Sequence, residues 1–281
     1  MLSYRHGFHV GNHADVLKHF VLVALLRHLT KKDKPLWVVD THAGAGSYSL
    51  EQGYAARHAE HLAGIGRLWS RTDLPAPLAD YVAEVRAHNP DGVLRRYPGS
   101  PQIALQATRA QDRLRLFERH PTECRVLQAW AADAGRRVAV VAGDGFAGLK
   151  SVLPPPSRRG LVLIDPSYET ASDYYDVIAA LQDALHRFAT GTYAVWYPQI
   201  VRREADRLPA QLATLAGGDW LHVWLRVRAP AQDGFGLHGS GVFVVNPPWN
   251  LELPLRTVMP FLASTLAQDD GAAFEITYRQ T

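Results

Sequence analysis

Short apolar runs alternate along the chain with longer segments whose apolar residues recur at helical spacing. The runs, rich in β-branched and aromatic residues, cover residues 36–40, 114–118, 138–142, 161–165, 193–196, 220–228 and 241–246. The helical segments cover residues 12–29, 121–134, 172–188 and 202–216. This alternation predicts an α/β fold with a doubly wound, mostly parallel sheet. Only a loop separates the last two runs, so they should pair antiparallel and give the sheet one reversed strand.

The first apolar run leads into a tight glycine turn. Gly44 and Gly46 follow Asp40 closely, and glycine lets the backbone approach a nucleotide-like ligand. Ser49 stands where a dinucleotide fingerprint has its third glycine, which disfavours a nicotinamide or flavin cofactor. The chain also lacks the phosphate loop of nucleoside triphosphatases. S-adenosylmethionine, which carries no phosphate, is the cofactor that remains.

A second motif, Asp165-Pro166-Ser167-Tyr168, ends the run at residues 161–165. The lone pair of an adenine amine is delocalised into the ring, so a catalyst must hold the amine hydrogens. The Asp165 carboxylate and the Pro166 carbonyl can accept them, while Tyr168 stacks on an extruded base. An ordinary turn after a buried strand is the alternative.

Two observations affect the interpretation of the motif at Asp165. Ser167 stands where a second proline would restrict the preceding residue, so we expect a looser loop and slower turnover. Asn246-Pro247-Pro248-Trp249 has both prolines and an aromatic residue, and is therefore a competing candidate. Its strand is the reversed one, however, so Asn246 should lie on the opposite edge of the sheet from Gly44 and Glu118.

The spacing of acidic residues predicts an insertion. The acid that binds ribose hydroxyls usually follows the glycine turn by about twenty residues. Here Glu118 is the first such acid at a strand end, far beyond Gly46. We therefore predict a helical insertion at residues 51–97, with helices near 59–69 and 78–88, beside a main domain of residues 1–50 and 98–281. A helical crossover that merely covers the sheet is the alternative.

Composition and charge limit the class of protein to which the chain can belong. The 281 residues are 47% hydrophobic, contain no apolar stretch long enough to cross a membrane and show no signal-peptide pattern, so we expect a cytoplasmic enzyme. The single cysteine, Cys124, excludes an internal disulfide and a multi-cysteine zinc site. The pI near 9.0 and four arginine doublets suit binding to a phosphate backbone, although arginines also solvate helix faces and loop tips.

The N-terminal arm combines aromatic, arginine and histidine side chains with glycines. Tyr4, Arg5 and His6 are suited to stacking on the bases of a nucleic acid and contacting its phosphates. His9 and His13 have the spacing of metal ligands, but no cysteine or carboxylate completes the set, so we predict no metal site. Packing of the arm against the domain is the alternative.

Several motifs together resemble the RlmJ family of 23S ribosomal RNA adenine-N6 methyltransferases over essentially the whole chain. They are MLSYRHGFHVGNHADVLKH, DTHAGAG, YPGSP, the strand end at Glu118, GDGF, SRRGLVLIDPSYE and SGVFVVNPPW. The resemblance implies a class I, Rossmann-like methyltransferase fold, S-adenosylmethionine as methyl donor, and methylation of one adenine in 23S rRNA before the ribosome is assembled.

The resemblance also implies roles for individual residues. Cofactor contacts would fall on His19, His42, Ser100, Glu118, Asp144, Gly145 and Asp165, and Lys18 with Tyr4 would face the RNA. The residues support part of this independently, because Glu118, Asp144 and Asp165 each follow a predicted parallel strand, and the carboxyl ends of such strands form the ligand-binding edge. Glu118 can accept from ribose hydroxyls and Asp144 from the adenine amine of the cofactor.

Two other functions use parts of the same pattern. A DNA adenine-N6 methyltransferase would have the same catalytic residues, whereas a non-catalytic RNA-binding protein would keep the basic arm without a cofactor site. Intact Gly44, Glu118 and Asp144 argue against the second. We expect a monomer.

Overall fold

A computed structural model describes residues 9–280 and shows a central sheet covered by helices on both faces. The strands are β1 Trp37–Asp40, β2 Ser47–Ser49, β3 Arg96–Pro98, β4 Arg113–Glu118, β5 Val138–Ala142, β6 Gly160–Ile164, β7 Thr192–Gln199, β8 Trp220–Arg226, β9 Gly239–Val245 and β10 Ala273–Arg279. The helices are α1 His13–Leu29, α2 Gly53–His58, α3 Gly66–Trp69, α4 Ala76–Ala87, α5 Ser100–Ala107, α6 Pro121–Ala131, α7 Gly145–Val152, α8 Ala171–Arg187, α9 Arg203–Ala216 and α10 Glu252–Leu266. Short 3₁₀ segments lie at Glu60–Ala63 and Ala132–Arg137.

Eight strands form the main sheet, in the order β10-β8-β9-β7-β6-β1-β4-β5. The five strands from β7 to β5 are mutually parallel. β9 pairs antiparallel with β7 and with β8, which confirms the predicted reversed strand. β10 pairs antiparallel with β8 and is a second reversed strand, which sequence analysis had not identified. The predicted fold class, an α/β fold with a mostly parallel sheet, is confirmed, with two reversed strands in place of the one predicted.

The two faces of the sheet have separate cores because side chains alternate along each strand. One core joins the sheet to α1, α4, α5 and α10, and the other joins it to α7, α8 and α9. α1 is buried almost all round, since β9 lies on one side of it and α4 and α5 on another. Asn12 caps this helix by accepting from the amides of Ala14 and Asp15, which fixes where the helix begins.

The segment 51–97 is mainly helical, and it ends in β3, which pairs with β2 beside the glycine turn. The helix predicted at 59–69 is split into a 3₁₀ turn and α3, because Gly64 has non-helical angles. The helix predicted at 78–88 is α4, whose Leu78, Tyr81 and Val85 are buried in the same core as α1. The division of the chain at residues 51 and 97 stays a prediction.

None of the helices within residues 9–280 is both long and apolar enough to cross a membrane.

Candidate active site

A cavity of about 470 Å³ opens at the carboxyl ends of the parallel strands. It lies where the strand order reverses between β1 and β6, which is the usual ligand site of such sheets. Most of the residues predicted for the site line it: Lys18, His19, His42, Gly44, Ser100, Glu118, Asp144, Gly145, Asp165 and Pro166. Their convergence brings segments far apart in sequence into one site.

Lys18 and Asp165 form a buried ion pair at the base of this cavity. Lys18 Nζ lies 2.6 Å from Asp165 Oδ2 and 2.9 Å from Asp15 Oδ1. Burial alone would lower the pKa of Lys18, but the two carboxylates outweigh it and raise the pKa above its usual range. The Lys18 ammonium is therefore held charged beside Asp165 by α1, rather than exposed on a surface.

Asp15 and Asp40 are two further residues of the site for which sequence analysis proposed no function. Asp15 lies in the first turn of α1, where it accepts from the Gly11 amide at 2.9 Å. Asp40 ends β1 and lies behind the cavity, accepting from Ser100 Oγ at 2.6 Å and from the His42 amide at 3.1 Å. The position of Asp40 directly before the glycine turn was the signal that could have identified it.

Burial governs the charge of Asp40, which is only 2% exposed. Burial raises its pKa to about 6, although the bonds from Ser100 and the His42 amide act in the opposite direction. Asp40 thus orients two residues predicted to contact a cofactor.

The glycine turn is organised around Glu118. Gly44 donates its amide to Glu118 Oε2 at 2.8 Å, and His120 donates its amide to Oε1 at 2.6 Å. Burial raises the pKa of this carboxyl. A Cβ atom added at Gly44 would lie 2.2 Å from the Tyr48 hydroxyl, so the turn has room only for glycine. Gly46 does not line the cavity, and it packs instead against Trp130 and Leu127.

Asp144 and His42 form another wall of the cavity. Asp144 caps α7 through Oδ1, which accepts from the amides of Phe146 and Ala147. The His42 ring lies edge-on to Phe146, with 4.9 Å between the centroids. Burial lowers the pKa of His42 to about 4, so the ring is neutral near pH 7.

His19 contributes to the wall from within the core. It is fully buried, and its Nδ1 lies 2.8 Å from the Tyr97 hydroxyl.

Tyr168 does not occupy the predicted position. Its ring is 3% exposed, does not line the cavity and packs against Tyr174. Its hydroxyl donates to the Trp196 carbonyl at 2.6 Å, and Arg202 donates to the Tyr168 carbonyl at 3.4 Å. In this conformation the side chain anchors the loop after Asp165, so stacking on a base in the cavity would require the loop to move.

Residues Tyr4, Arg5 and His6 lie outside the described residues. Of the two histidines with metal-ligand spacing, His9 lies 3.0 Å from Glu60, whose hydrogen bond raises the pKa of His9. His13 is buried, and burial lowers its pKa to about 4. Within residues 9–280, no group of three or more histidine, cysteine, aspartate or glutamate side chains is placed to hold a metal ion.

Asn246 lies at the opposite edge of the sheet, as predicted. It follows β9, whose last residue pairs with Tyr193 near the start of β7. Asn246 Nδ2 donates to the carbonyls of Ala189 and Gly191 at 2.8 and 2.7 Å. Its left-handed backbone, with φ of 51°, suits an asparagine turn. These contacts indicate a structural role.

Two members of the arginine doublets contact backbone carbonyls of the fold. Arg137 donates to the Thr108 carbonyl, and Arg159 donates to the carbonyls of Leu29, the last residue of α1, and of Lys34. Contact of the doublets with a phosphate backbone stays a prediction.

Carboxylates outnumber cationic side chains among the described residues that line the cavity. The carboxylates are Glu118, Glu123, Asp144, Asp165, Glu169, Asp173 and Asp176, and the cations are Lys18 and Arg119. Such a surface favours a positively charged ligand over a phosphate. The close backbone approach at Gly44 and the paired amide contacts of Glu118 further suit an adenosine-like group, so the residues fit S-adenosylmethionine.

Comparison with known proteins identifies the family of the chain. Residues 33–277 match the family described as "Ribosomal RNA large subunit methyltransferase D, RlmJ". Ribosomal RNA large subunit methyltransferase J of Escherichia coli is 47% identical over 266 residues, covering 95% of this chain and 94% of its own. The protein of the same name from Haemophilus influenzae is 43% identical over 99% of both chains. A crystal structure of protein LPL1258 from Legionella pneumophila is 34% identical, with a TM-score of 0.88 over 96% of this chain and 98% of that one.

Proposed function

The chain belongs to the RlmJ family of ribosomal RNA large-subunit methyltransferases, and from this membership we propose that it methylates N6 of one adenine in 23S rRNA. It is an S-adenosylmethionine-dependent rRNA methyltransferase. The observation that carries the choice of an amine acceptor is the Asp165 carboxylate, paired with Lys18 in the cavity and followed directly by the Pro166 carbonyl.

Asp165 and Pro166 would hold the acceptor amine. Both offer oxygen acceptors to its two hydrogens, which localises the nitrogen lone pair and directs it toward the donor. Lys18 would fix the orientation of the Asp165 carboxylate from α1 through its contact with Oδ2. Because positioning supplies much of the rate in a two-substrate transfer, a carboxylate held in place by this buried ion pair is well suited to the reaction.

The remaining wall would hold the cofactor. When bound, S-adenosylmethionine supplies a methyl group already activated on a sulfonium. Glu118 would accept from the ribose hydroxyls and Asp144 from the adenine amine, while His42 and Phe146 pack beside the base. Asp40, through Ser100 and the His42 amide, orients this wall without touching the ligand.

We also propose which residues contact the RNA and in which state the RNA is methylated. Tyr4, Arg5 and His6 would contact the RNA near Lys18, and the helical segment 51–97 would lie beside it. The enzyme would act as a cytoplasmic monomer on 23S rRNA that is free of protein or at an early stage of assembly. Ser167 would slow turnover by loosening the loop between Pro166 and Tyr168.

Transfer of labelled methyl from S-adenosylmethionine to protein-free 23S rRNA, followed by nucleoside analysis, tests the proposal. N6-methyladenosine should form with the wild type, and Asp165→Ala should reduce the rate at least about a hundredfold. Asn246→Ala removes two structural hydrogen bonds and should mainly lower stability, by about 1–3 kcal/mol, with activity per folded molecule retained.

The opposite pattern, activity lost in Asn246→Ala and kept in Asp165→Ala, would overturn the assignment of the catalytic carboxylate. Duplex DNA offered as acceptor separates the two adenine methyltransferase hypotheses, because methylation of DNA in preference to RNA would refute the proposed substrate. Cofactor binding without methylation of either nucleic acid would indicate a different acceptor.

A further inference from the structure

A second cavity, of about 340 Å³, lies on the α9 face of the sheet near the ends of β7 and β8. Tyr197, His222 and Trp224 supply aromatic walls, and Asp206 and Pro209 of α9 lie above them. It shares no described lining residue with the candidate active site. Nothing in the proposed mechanism uses this cavity.

Two glycines of β9 create the space. Gly241 is in register with Tyr197 on one side and Trp224 on the other, so no side chain stands between these aromatic residues. A Cβ atom at Gly241 would lie 2.3 Å from the Tyr197 ring. Gly239 is in register with Gln199, and a Cβ atom there would lie 2.2 Å from Gln199 Oε1. Both side chains therefore depend on glycine at the neighbouring position.

The polar groups around this cavity are mostly acceptors. Gln199 Oε1 is shielded from solvent and has no hydrogen-bond partner in the described part of the chain. Asp206 is exposed and forms no ion pair within residues 9–280. Pro209 has no N–H, so the Ala205 carbonyl lacks the donor that a helix supplies four positions on.

The aromatic walls are rigid and uncharged. The Tyr197 hydroxyl lies 2.8 Å from His222 Nε2, and Trp224 Nε1 donates to Glu275 at 2.9 Å. Burial lowers the pKa of His222 to about 4, which leaves the ring neutral near pH 7. An aromatic surface with acceptors at its rim suits a flat ligand that carries several N–H donors.

We propose that this cavity is a subsite for an unpaired guanine of the substrate RNA. Proteins read single-stranded RNA by stacking bases on aromatic rings and bonding their edges. Guanine alone among the four bases has adjacent N–H donors on its Watson–Crick edge, from N1 and the N2 amine, which match the two oxygens of the exposed Asp206 carboxylate. This inference rests on the proposed function, because it takes rRNA as the substrate.

The position of the cavity supports the same substrate. β7 is the immediate neighbour of β6, the strand that leads to Asp165, and both end at the same edge of the sheet. Since neighbouring strands lie about 4.8 Å apart, the subsite is roughly 5–15 Å across the sheet from the catalytic strand. Arg202 precedes α9 and donates to the Tyr168 carbonyl, which connects this region to the catalytic loop. A nucleotide close to the target adenine can therefore reach the cavity.

Fluorescence anisotropy with short oligouridines that carry one central guanosine, inosine or adenosine tests the subsite. Inosine lacks the N2 amine, so the wild type should bind the guanosine probe several-fold more tightly than the other two. Asp206→Ala should abolish this preference. Trp224→Leu should weaken binding of the guanosine probe roughly tenfold, because it removes one stacking surface, and Trp224→Phe should restore most of the affinity.

Kinetics on 23S rRNA provide the second readout. Asp206→Ala and Trp224→Leu should raise KM for RNA and leave kcat and cofactor affinity unchanged. Trp249→Leu and Asp270→Ala are matched controls on exposed side chains away from the cavity and should behave as the wild type. Unchanged cofactor affinity also shows that each variant is folded.

Variants that bind and methylate RNA like the wild type would overturn the subsite. Binding of an oligoarginine peptide that is lost in Asp206→Ala, with RNA binding unaffected, would assign the cavity to a protein partner instead and would also overturn it. A wild-type enzyme that fails to methylate 23S rRNA would count against the proposed function. An active wild type whose Asp206→Ala and Trp224→Leu variants keep the same RNA affinity and KM would count against the subsite alone.

Discussion

At the residue scale, Asp40 lies behind the candidate active site and contacts two residues that line it. Its carboxylate is buried behind Ser100 and His42, where its two oxygens accept from the Ser100 hydroxyl and the His42 amide. Its pKa of about 6 lies well above the ordinary value of 3.8 because burial disfavours the charge. The folded protein therefore binds a proton at this position more tightly than the unfolded chain does.

The sign of the resulting pH dependence follows from this difference. Protonated Asp40 stabilises the fold below about pH 4, and that contribution is lost as pH rises through 6. Asp40→Asn keeps an acceptor and cannot ionise. Its stability relative to the wild type should therefore increase by up to about 3 kcal/mol between pH 4 and pH 7, as measured by urea denaturation.

Comparing the two proteins at each pH cancels the titration of every other group. Exposed Asp270→Asn is the control and should show no such trend. A constant difference between Asp40→Asn and the wild type would mean that Asp40 titrates in the native protein as it does in the unfolded chain.

Tyr168 shows that a sequence motif does not determine the direction of a side chain. Sequence analysis placed its ring on the substrate, because an aromatic residue three positions after Asp165 suits a flipped base. The structure instead buries the ring beside Tyr174 and Trp196 and bonds its hydroxyl to the strand β7. The direction of a side chain after a turn depends on the backbone angles. The φ of 52° at Tyr168 could not be predicted from the sequence of the motif.

At the scale of elements, α1 connects three parts of the molecule. Its first two turns supply Asp15 and Lys18 to the candidate active site, and its body packs against β9 and α5. Its cap residue Asn12 also donates to Glu60 at 2.9 Å, in the segment that follows the glycine turn. The beginning of α1 therefore positions the ion pair of Lys18 and Asp165 relative to the helical segment 51–97.

Close backbone packing at Gly64 maintains this connection. A Cβ atom there would lie 2.1 Å from the Gly11 carbonyl oxygen and within 2.6 Å of Asn12 backbone atoms. Gly64→Ala must push the two segments apart, because backbone cannot rotate away as a side chain can. We expect a loss of roughly 1–3 kcal/mol in unfolding free energy together with a lower methylation rate.

Gly218→Ala is the matched control, since a Cβ atom there would meet only one atom, at 4.0 Å. Denaturation and methyl-transfer assays on the two variants separate a local steric clash from a general effect of alanine. Equal behaviour of the two variants would refute the role assigned to the Gly64 contact.

At the scale of the whole molecule, charge is distributed unevenly. The net charge is +3 and the pI is near 9.0, yet carboxylates dominate the candidate active site. The chain thus combines a basic exterior, suited to a polyanion, with an acidic cavity, suited to a cationic cofactor. The two substrates should respond differently to salt because contacts with RNA phosphates release counterions.

Raising the salt concentration from 50 to 200 mM should weaken RNA binding at least about tenfold if three or more phosphates are contacted. Binding of S-adenosylmethionine should change less than about threefold, since buried pairs are screened less than exposed ones. Anisotropy measures the first affinity and titration calorimetry the second. An RNA affinity as insensitive to salt as the cofactor affinity would argue against binding through the backbone.

The sequence by itself determined the alternation of strands and helices, the reversed strand β9 and the glycine turn, because these depend on local periodicity and on the special conformations of glycine. It also distinguished Asp165 from Asn246, since strand direction decides which edge each residue occupies. The strand β10 was not predicted from the sequence, because its half-exposed residues form no clear apolar run.

Only the tertiary structure decided which side chains meet. Pairing of Lys18 with Asp165 joins residues 147 positions apart, and the alignment of Tyr197, Gly241 and Trp224 needs the register of three strands. Burial, and with it the charge state of Asp40 and His42, depends on how distant segments pack. Local sequence patterns carry periodicity and turn chemistry, whereas distances between remote residues arise when the helices close over the sheet.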